Sequence, residues 1–340
     1  MKTILALARM TSKRLAIAMR EKAGPKGASL VWAERIRPMS LNPGSVPILA
    51  SDLGLFGSAG VNLKVREYLG SPAAAAALQS GEAVFAQVPT MEGVRLIAEQ
   101  GWPGKIFWVN RAEKTSSSSG FVMMSSPSIK KMADLRGKRF GVGAEGDYWA
   151  PIISNMLRLN GLRREEVIWV KDLDPVQKAD MLLDGRIDVM LTSIQNYIGK
   201  LEGNSNVHVL ARGDELSKYK EGMPQGPSFV GVASDKMLGD EGDSVLRVTR
   251  VLMTAARLFS DDANAWVDAA SKRRPDVPRE KIRKLWHFFQ GDWPVNGGVD
   301  AARLGEILKG LRSTGRLPIA RLLTTEFERK AIEDLGAYPA

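Results

Sequence analysis

Lys105-Ile-Phe-Trp-Val109 and Phe121-Val-Met-Met124 are two apolar runs of strand length, separated by the polar break Thr115-Ser-Ser-Ser-Ser119. Reading outward from that break shows the same pattern on both sides. Upstream, strands are expected at Leu30–Ile36, Val61–Val65 and Ala83–Val88. Between them the sequence predicts helices at Pro43–Phe56, Pro72–Gln79 with its five consecutive alanines, and Met91–Gln100. Downstream, strands at Arg139–Val142, Val167–Val170, Ile187–Leu191 and Val207–Ala211 alternate with helices at Tyr148–Asn160 and Pro175–Leu183. Strands alternating with helices favour mostly parallel sheets covered by helices.

A second break, Gly222-Met-Pro-Gln-Gly-Pro227, precedes the strand Phe229–Ala233. Beyond Ser244 the pattern turns helical. Val245, Val248, Val251, Leu252, Ala255 and Phe259 form a stripe at helical spacing, and further helices are expected at Asn264–Lys272, Pro278–Gln290, Val299–Leu311 and Thr325–Asp334. Pro278 suits the first turn, where its missing N–H costs nothing. The two breaks flank one α/β unit set inside another. The expected domains are a basic arm 1–28, a discontinuous lobe 29–113 plus 226–340, and a second lobe 114–225. Two connecting segments between lobes are the anatomy of a hinge, and hinged lobes bracket a cleft.

Composition narrows the function classes. The chain has 340 residues, 44% hydrophobic and 25% charged, as a folded globular protein should. The absence of cysteine removes disulfides, thiolate zinc sites and cysteine nucleophiles, and two distant histidines, His208 and His287, argue against a histidine-rich metal site. The net charge is +10, but residues 1–37 hold nine basic and two acidic residues, so +7 sits in the leading segment and +3 in the other 303 residues. A nucleic-acid reader gathers its basic residues on the folded surface, so no nucleic-acid partner is expected. The apolar runs Ile4–Ala8 and Leu15–Met19 are interrupted by Arg9 and Arg20, short of a secretory signal. A mis-set start, an unusual export signal and a cytoplasmic protein all remain open readings of this arm.

Several ordered segments resemble one family of solute-binding proteins, those for sulfonates, taurine, nitrate and thiamine-type pyrimidines. These are Pro47-Ile-Leu-Ala-Ser-Asp-Leu-Gly-Leu-Phe56, Gly60-Val-Asn-Leu63, Leu78-Gln-Ser-Gly-Glu82, Ala133-Asp-Leu-Arg-Gly-Lys-Arg-Phe-Gly-Val142 and Leu183-Asp-Gly-Arg-Ile-Asp-Val189. The resemblance implies an α/β, two-lobed, type II periplasmic-binding fold. Each lobe would be a mostly parallel sheet flanked by helices, with a helical C-terminal region. It also implies a monomer that captures a small organic molecule by hinge closure, a partnership with an ABC-transporter permease, a periplasmic location, and no cofactor or metal. A minority branch synthesises the thiamine pyrimidine with a Gly-Cys-Cys-Cys-Gly motif, which a chain without cysteine lacks. An enzyme of that kind, a decarboxylase-like offshoot and a cytoplasmic ligand sensor are the alternatives to binding for transport.

In such sheets ligands meet the carboxyl ends of strands and the starts of the following helices. That rule selects Arg37, Ser40 and Asn42; Gly70 and Ser71; Gln87 and Thr90; Ser117; Glu145, Gly146, Asp147, Tyr148 and Trp149; Asp172; and Thr192 and Ser193. Ser71, Thr90 and Ser193 have plain helix capping as the competing role. Gly141-Val-Gly-Ala-Glu-Gly146 fits G-x-G-x-x-G, yet Glu145 and Asp147 would set negative charge where a pyrophosphate sits. Those acids also oppose a simple anion at a helix start. Tyr148 and Trp149 could stack on a flat ring while an acid accepts from its amino group, which would favour an aromatic or aminopyrimidine-like ligand over a sulfonate-like one. Solvated acids and a core Trp149 are the competing picture.

Overall fold

The computed structural model describes residues 29–36, 46–110, 121–143, 149–212, 229–302, 304–305 and 318–339. Among the described residues, ten strands form two five-stranded sheets. The first contains β1 (Leu30–Ile36), β2 (Leu63–Leu69), β3 (Phe85–Pro89), β4 (Gly104–Val109) and β10 (Phe229–Ser234), in the order β2-β1-β3-β10-β4. The second contains β5 (Phe121–Ser125), β6 (Arg139–Gly141), β7 (Ile168–Val170), β8 (Val189–Ser193) and β9 (His208–Arg212), in the order β7-β6-β8-β5-β9.

Each sheet has four strands running one way and one running against them. The antiparallel strands are β10, between β3 and β4, and β5, between β8 and β9. These are the first strands after the two breaks, and their direction has a simple cause. A chain that leaves one sheet at the carboxyl end of a strand and enters the other from the facing edge must run backwards through it. Phe121 accordingly lies beside Ser193, and Phe229 beside Pro89.

The helices are α1 (Val46–Asp52), α2 (Leu55–Ser58), α3 (Ser71–Gln79), α4 (Thr90–Ala98), α5 (Trp149–Leu159), α6 (Pro175–Leu183), α7 (Ile194–Asn196), α8 (Asp235–Asp240), α9 (Gly242–Asp261), α10 (Ala263–Arg273), α11 (Arg279–Phe288), α12 (Ile319–Leu322) and α13 (Glu326–Leu335). A π-helical turn, Tyr197–Leu201, continues α7. Local chemistry explains several boundaries. Gly54, at φ 68°, divides the single helix expected over 43–56 into α1 and α2. Asp174 starts α6 by accepting from Val176 and Gln177 N–H at 2.7 and 2.9 Å, while Gln177 Oε1 accepts from Asp174 N–H at 3.0 Å. That reciprocal capping box is followed by Pro175 in the first turn. Pro278 lies one position before its expected place, as the N-cap of α11. Of the helix expected at Val299–Leu311, the described part includes helical residues 301–302 and 304–305.

Burial follows the strand alternation. On β3, Phe85 joins the large apolar cluster beneath the C-terminal helices, and Ala86 and Val88 join a second cluster with α3 and α4. The small side chains Ala74, Ala75 and Ala77 let α3 pack close to the sheet. All six stripe residues of α9, Val245, Val248, Val251, Leu252, Ala255 and Phe259, are buried. A third cluster around Met123, Phe140, Ile153 and Val189 fills the other face of the second sheet. The largest cluster runs without interruption from the first lobe into the second, because the π-turn packs on α11. Glu202 Oε2 and Lys284 Nζ, 3.1 Å apart, form an ion pair across that contact.

Candidate ligand cleft

The parallel strands of the first sheet end at Ile36, Leu69, Pro89 and Val109, and those of the second at Gly141, Val170, Ser193 and Arg212. Since β10 starts beside the first set and β5 beside the second, the two carboxyl edges are the edges joined by the crossing segments. Open sheets bind ligands at this edge.

On the first lobe, Gly70 takes φ 81° between β2 and α3, a conformation glycine adopts without strain. Gly70 is the N-cap and Ser71 the first helical residue. The expected helix start at Pro72 is thereby corrected by one residue. The expected start at Met91 is corrected in the same way: Thr90 opens α4 behind the N-cap Pro89. Ser71 and Thr90 are both buried. Gln87 is 6% exposed, and its Oε1 has no hydrogen-bond partner among the described residues.

On the second lobe, Ser193 is the N-cap of α7 and accepts from Asn196 N–H at 3.4 Å, so its capping role is realised. Thr192 is 4% exposed, and its Oγ1 has no partner among the described residues. Asp172 follows β7 at φ 61°, the one described non-glycine residue with positive φ, and its N–H reaches Gly143 O at 3.3 Å. Aspartate tolerates this region better than most residues, and such conformations gather at ligand sites. Trp149 begins α5. Arg37, Ser40, Asn42, Ser117, Glu145, Gly146, Asp147 and Tyr148 lie outside the described residues.

The structure adds residues at the same edges that the sequence rule did not select. Trp108, next to last in β4, is fully buried, and its Nε1 has no partner among the described residues. Gln195, in the first turn after β8, is 8% exposed, and its Oε1 has no partner among the described residues. Glu34, near the end of β1, is buried and accepts from Trp32 Nε1 at 2.8 Å. Arg212, at the end of β9, lies over the Tyr197 ring at 5.7 Å. Only the Thr192–Gln195 turn carried a usable sign, namely polar residues where a strand passes into a helix.

Two of the segments quoted for the resemblance hold each other. Arg139 donates from its backbone N–H and Nε to Asp188 Oδ2 at 2.8 and 2.9 Å, and from Nη2 to Oδ1 at 2.8 Å. It also reaches Gly185 O at 2.6 Å. The Arg139 hydrogen bonds hold the Asp188 carboxyl below the ordinary carboxylate range. Gly141 belongs to the same packing, since a Cβ there would lie 2.5 Å from Ile187 Cδ1. Its glycine answers to sheet packing, which removes one support from a dinucleotide reading of 141–146. No group of three or more potential metal ligands occurs among the described residues.

The NMT1/THI5 like family matches residues 42–262, well over half of the sequence. The chain belongs to that family. The match covers the first sheet apart from β1, all of the second, and the return strand β10, so the family is shown on the segments that build both carboxyl edges. No curated protein sequence matches the chain. Among solved structures, a protein from Bordetella bronchiseptica RB50 is 19% identical with a TM-score of 0.67, covering 92% of this chain and 99% of its own. The alkanesulfonate-binding protein SsuA from Xanthomonas axonopodis pv. citri, bound to MOPS, is 16% identical with a TM-score of 0.63, covering 89% and 99%. The ligand binding component of an ABC-type import system from Staphylococcus aureus, with zinc bound, is 13% identical with a TM-score of 0.66, covering 89% and 98%. These likenesses establish the two-lobed periplasmic-binding fold. The latter two neighbours are described as binding proteins. Among the described residues, no helix is long and apolar enough to cross a membrane.

Proposed function

We propose that this NMT1/THI5 like protein is the substrate-binding component of an ABC-type importer, capturing one small organic molecule between its lobes by hinge closure. The observation that carries the reading is the paired carboxyl edges, each entered by an antiparallel strand from the opposite lobe. Two edges joined by two connecting segments can approach over a ligand and part again. Gly70, Ser71, Gln87 and Thr90 would contribute from one lobe, and Asp172, Thr192 and Ser193 from the other, with Arg37, Ser40, Asn42, Ser117 and residues 145–149 as further proposed contacts. The lobes so defined are 29–113 plus 226–340 and 114–225. A permease would read the closed form, and the protein would act as a monomer in the periplasm.

The ligand classes to test are sulfonates, aromatic acids and aminopyrimidines. A ligand that binds only the folded state raises the melting temperature by mass action, so thermal shift across the three classes, followed by calorimetry, measures binding and stoichiometry. One molecule bound per chain and recovered unchanged is the expected result. Chemical loss of the bound molecule on incubation would replace binding with catalysis, and no saturable binding in any class would overturn the proposal.

A further inference from the structure

Four buried polar atoms near the carboxyl edges have no partner among the described residues: Gln87 Oε1 and Trp108 Nε1 on the first lobe, Thr192 Oγ1 and Gln195 Oε1 on the second. Each lies within two residues of a strand end. In the first sheet, Gln87 is paired with Gly231, which is in turn paired with Trp108, so the two side chains flank a residue that has none. Unpartnered buried atoms also occur in the helical region, at Thr254, Trp266 and Trp293. Position at the edge, on both lobes, sets the four apart. A buried polar atom left unpaired is costly, and a site that binds ligand tolerates that cost because the ligand removes it.

We propose that Trp108 and Gln195, one from each lobe, determine specificity together with Gln87 and Thr192, and that they select an uncharged carboxamide-like group. The proposal rests on the solute-binding reading above. The indole N–H is a donor only, so it requires an acceptor on the ligand. The two glutamine oxygens require N–H donors, and the Thr192 hydroxyl can serve either way. A primary carboxamide supplies one carbonyl acceptor and two N–H donors. All four protein groups are neutral, so a carboxylate or sulfonate at this position would be desolvated without a counter-charge from them.

The test uses the full chain with benzamide, benzoate and benzenesulfonate as probes, measured by thermal shift and calorimetry. Benzamide is expected to bind at least tenfold more tightly than either anion. Gln195→Met should weaken benzamide at least tenfold while the ligand-free protein melts at or above the wild-type temperature, since the change removes an unpaired atom. Trp108→Phe should lose benzamide affinity, whereas Trp293→Phe, the same change at an unpaired indole in the helical region, should retain it. Equal or tighter binding of either anion overturns the proposal, as does the absence of a benzamide shift. So does a Gln195→Met protein that melts lower with unchanged affinity, which would place a structural water on that atom. Sulfonate binding without benzamide binding would sink this inference and leave the solute-binding reading standing; failure of the whole three-class panel would sink both.

Discussion

Thr192 and Ser193 are adjacent hydroxyl residues at the end of β8, and substitution should move stability in opposite directions at the two. Thr192 is 4% exposed with its Oγ1 unpaired among the described residues, whereas Ser193 Oγ accepts from Asn196 N–H at 3.4 Å. Thr192→Val keeps the branched shape that suits a buried strand and deletes the unpaired oxygen. Leaving a buried polar group unsatisfied costs about 1–3 kcal/mol, so its removal should stabilise the ligand-free protein by about 1–2 kcal/mol. At about 2–4 °C per kcal/mol for domains of this scale, the melting temperature should rise by about 2–8 °C. Ser193→Ala deletes a long capping bond and should cost about 0.5–1 kcal/mol. Scanning calorimetry of both variants without ligand reads the two signs directly. Ligand contact at Thr192 adds a second readout, because loss of one hydrogen bond of about 0.5–1.5 kcal/mol weakens affinity roughly two- to tenfold. A Thr192→Val protein that melts below wild type would refute the reasoning, since the hydroxyl must then have had a partner, and with it would go the reading of this strand end as an open ligand contact.

Three further substitutions probe the frame around the cleft. Asp188→Asn breaks the clasp with Arg139 and should cost about 1–2 kcal/mol; because the folded carboxyl sits below its ordinary value, the wild-type contribution is present at neutral pH and fades as pH falls below about 4, so acid melts of wild type and variant should converge. Glu328, which accepts from Gly298 and Val299 N–H at 3.0 and 3.1 Å, is pushed up to about 8 by burial against the pull of those two donors. Its folded form therefore holds a proton that the unfolded chain releases, so stability should decline between about pH 4.5 and 8 and level off above, and Glu328→Gln should flatten that slope in melts taken at fixed ionic strength. Arg257→Met removes a guanidinium that donates to Val295 O at 2.8 Å and Gly336 O at 2.7 Å, and should release the segment after α13, seen as faster carboxypeptidase trimming and a loss of about 2 kcal/mol.

The fold was legible wherever local pattern and tertiary demand coincide. The α9 stripe repeats every three to four residues because one face of a long helix is buried, and burial of all six residues follows from that spacing alone. The Pro175–Leu183 helix was equally legible, since its capping box and first-turn proline are written in consecutive residues. Direction within the sheets was not. Phe121–Ser125 and Phe229–Ser234 have the apolar run of any buried strand, and nothing in them says that they run against their neighbours. That property comes from where the chain enters the sheet, which composition and periodicity do not record. The helix starts at Ser71 and Thr90 lie one residue ahead of the expected Pro72 and Met91 because Gly70 and Pro89 take the N-cap positions with their own backbone geometry.

The proposed site was chosen from the sequence by position and not by chemistry. Selecting strand ends took in Gln87 and Thr192, whose side-chain oxygens have no partner among the described residues. The same rule passed over Trp108, because a tryptophan inside an apolar strand reads as core, and its burial agrees with that reading. What distinguishes it is a missing hydrogen-bond partner, a property of the neighbours and not of the residue. Gly231 shows the dependence from the other side. Its Cβ would fall 3.0 Å from Trp108 Cβ and 3.2 Å from Trp32 Cη2, so the close packing of the two tryptophans over the return strand depends on a glycine that arrives more than a hundred residues later. Gly231→Ala would therefore press on both tryptophans from within the sheet. The net charge of +10, by contrast, is the most conspicuous feature of the composition, yet +7 of it lies in residues 1–37, largely ahead of the first strand. In the proposed site the groups offered to a ligand are the neutral Gln87, Trp108, Thr192 and Gln195, whose side-chain atoms lack partners among the described residues.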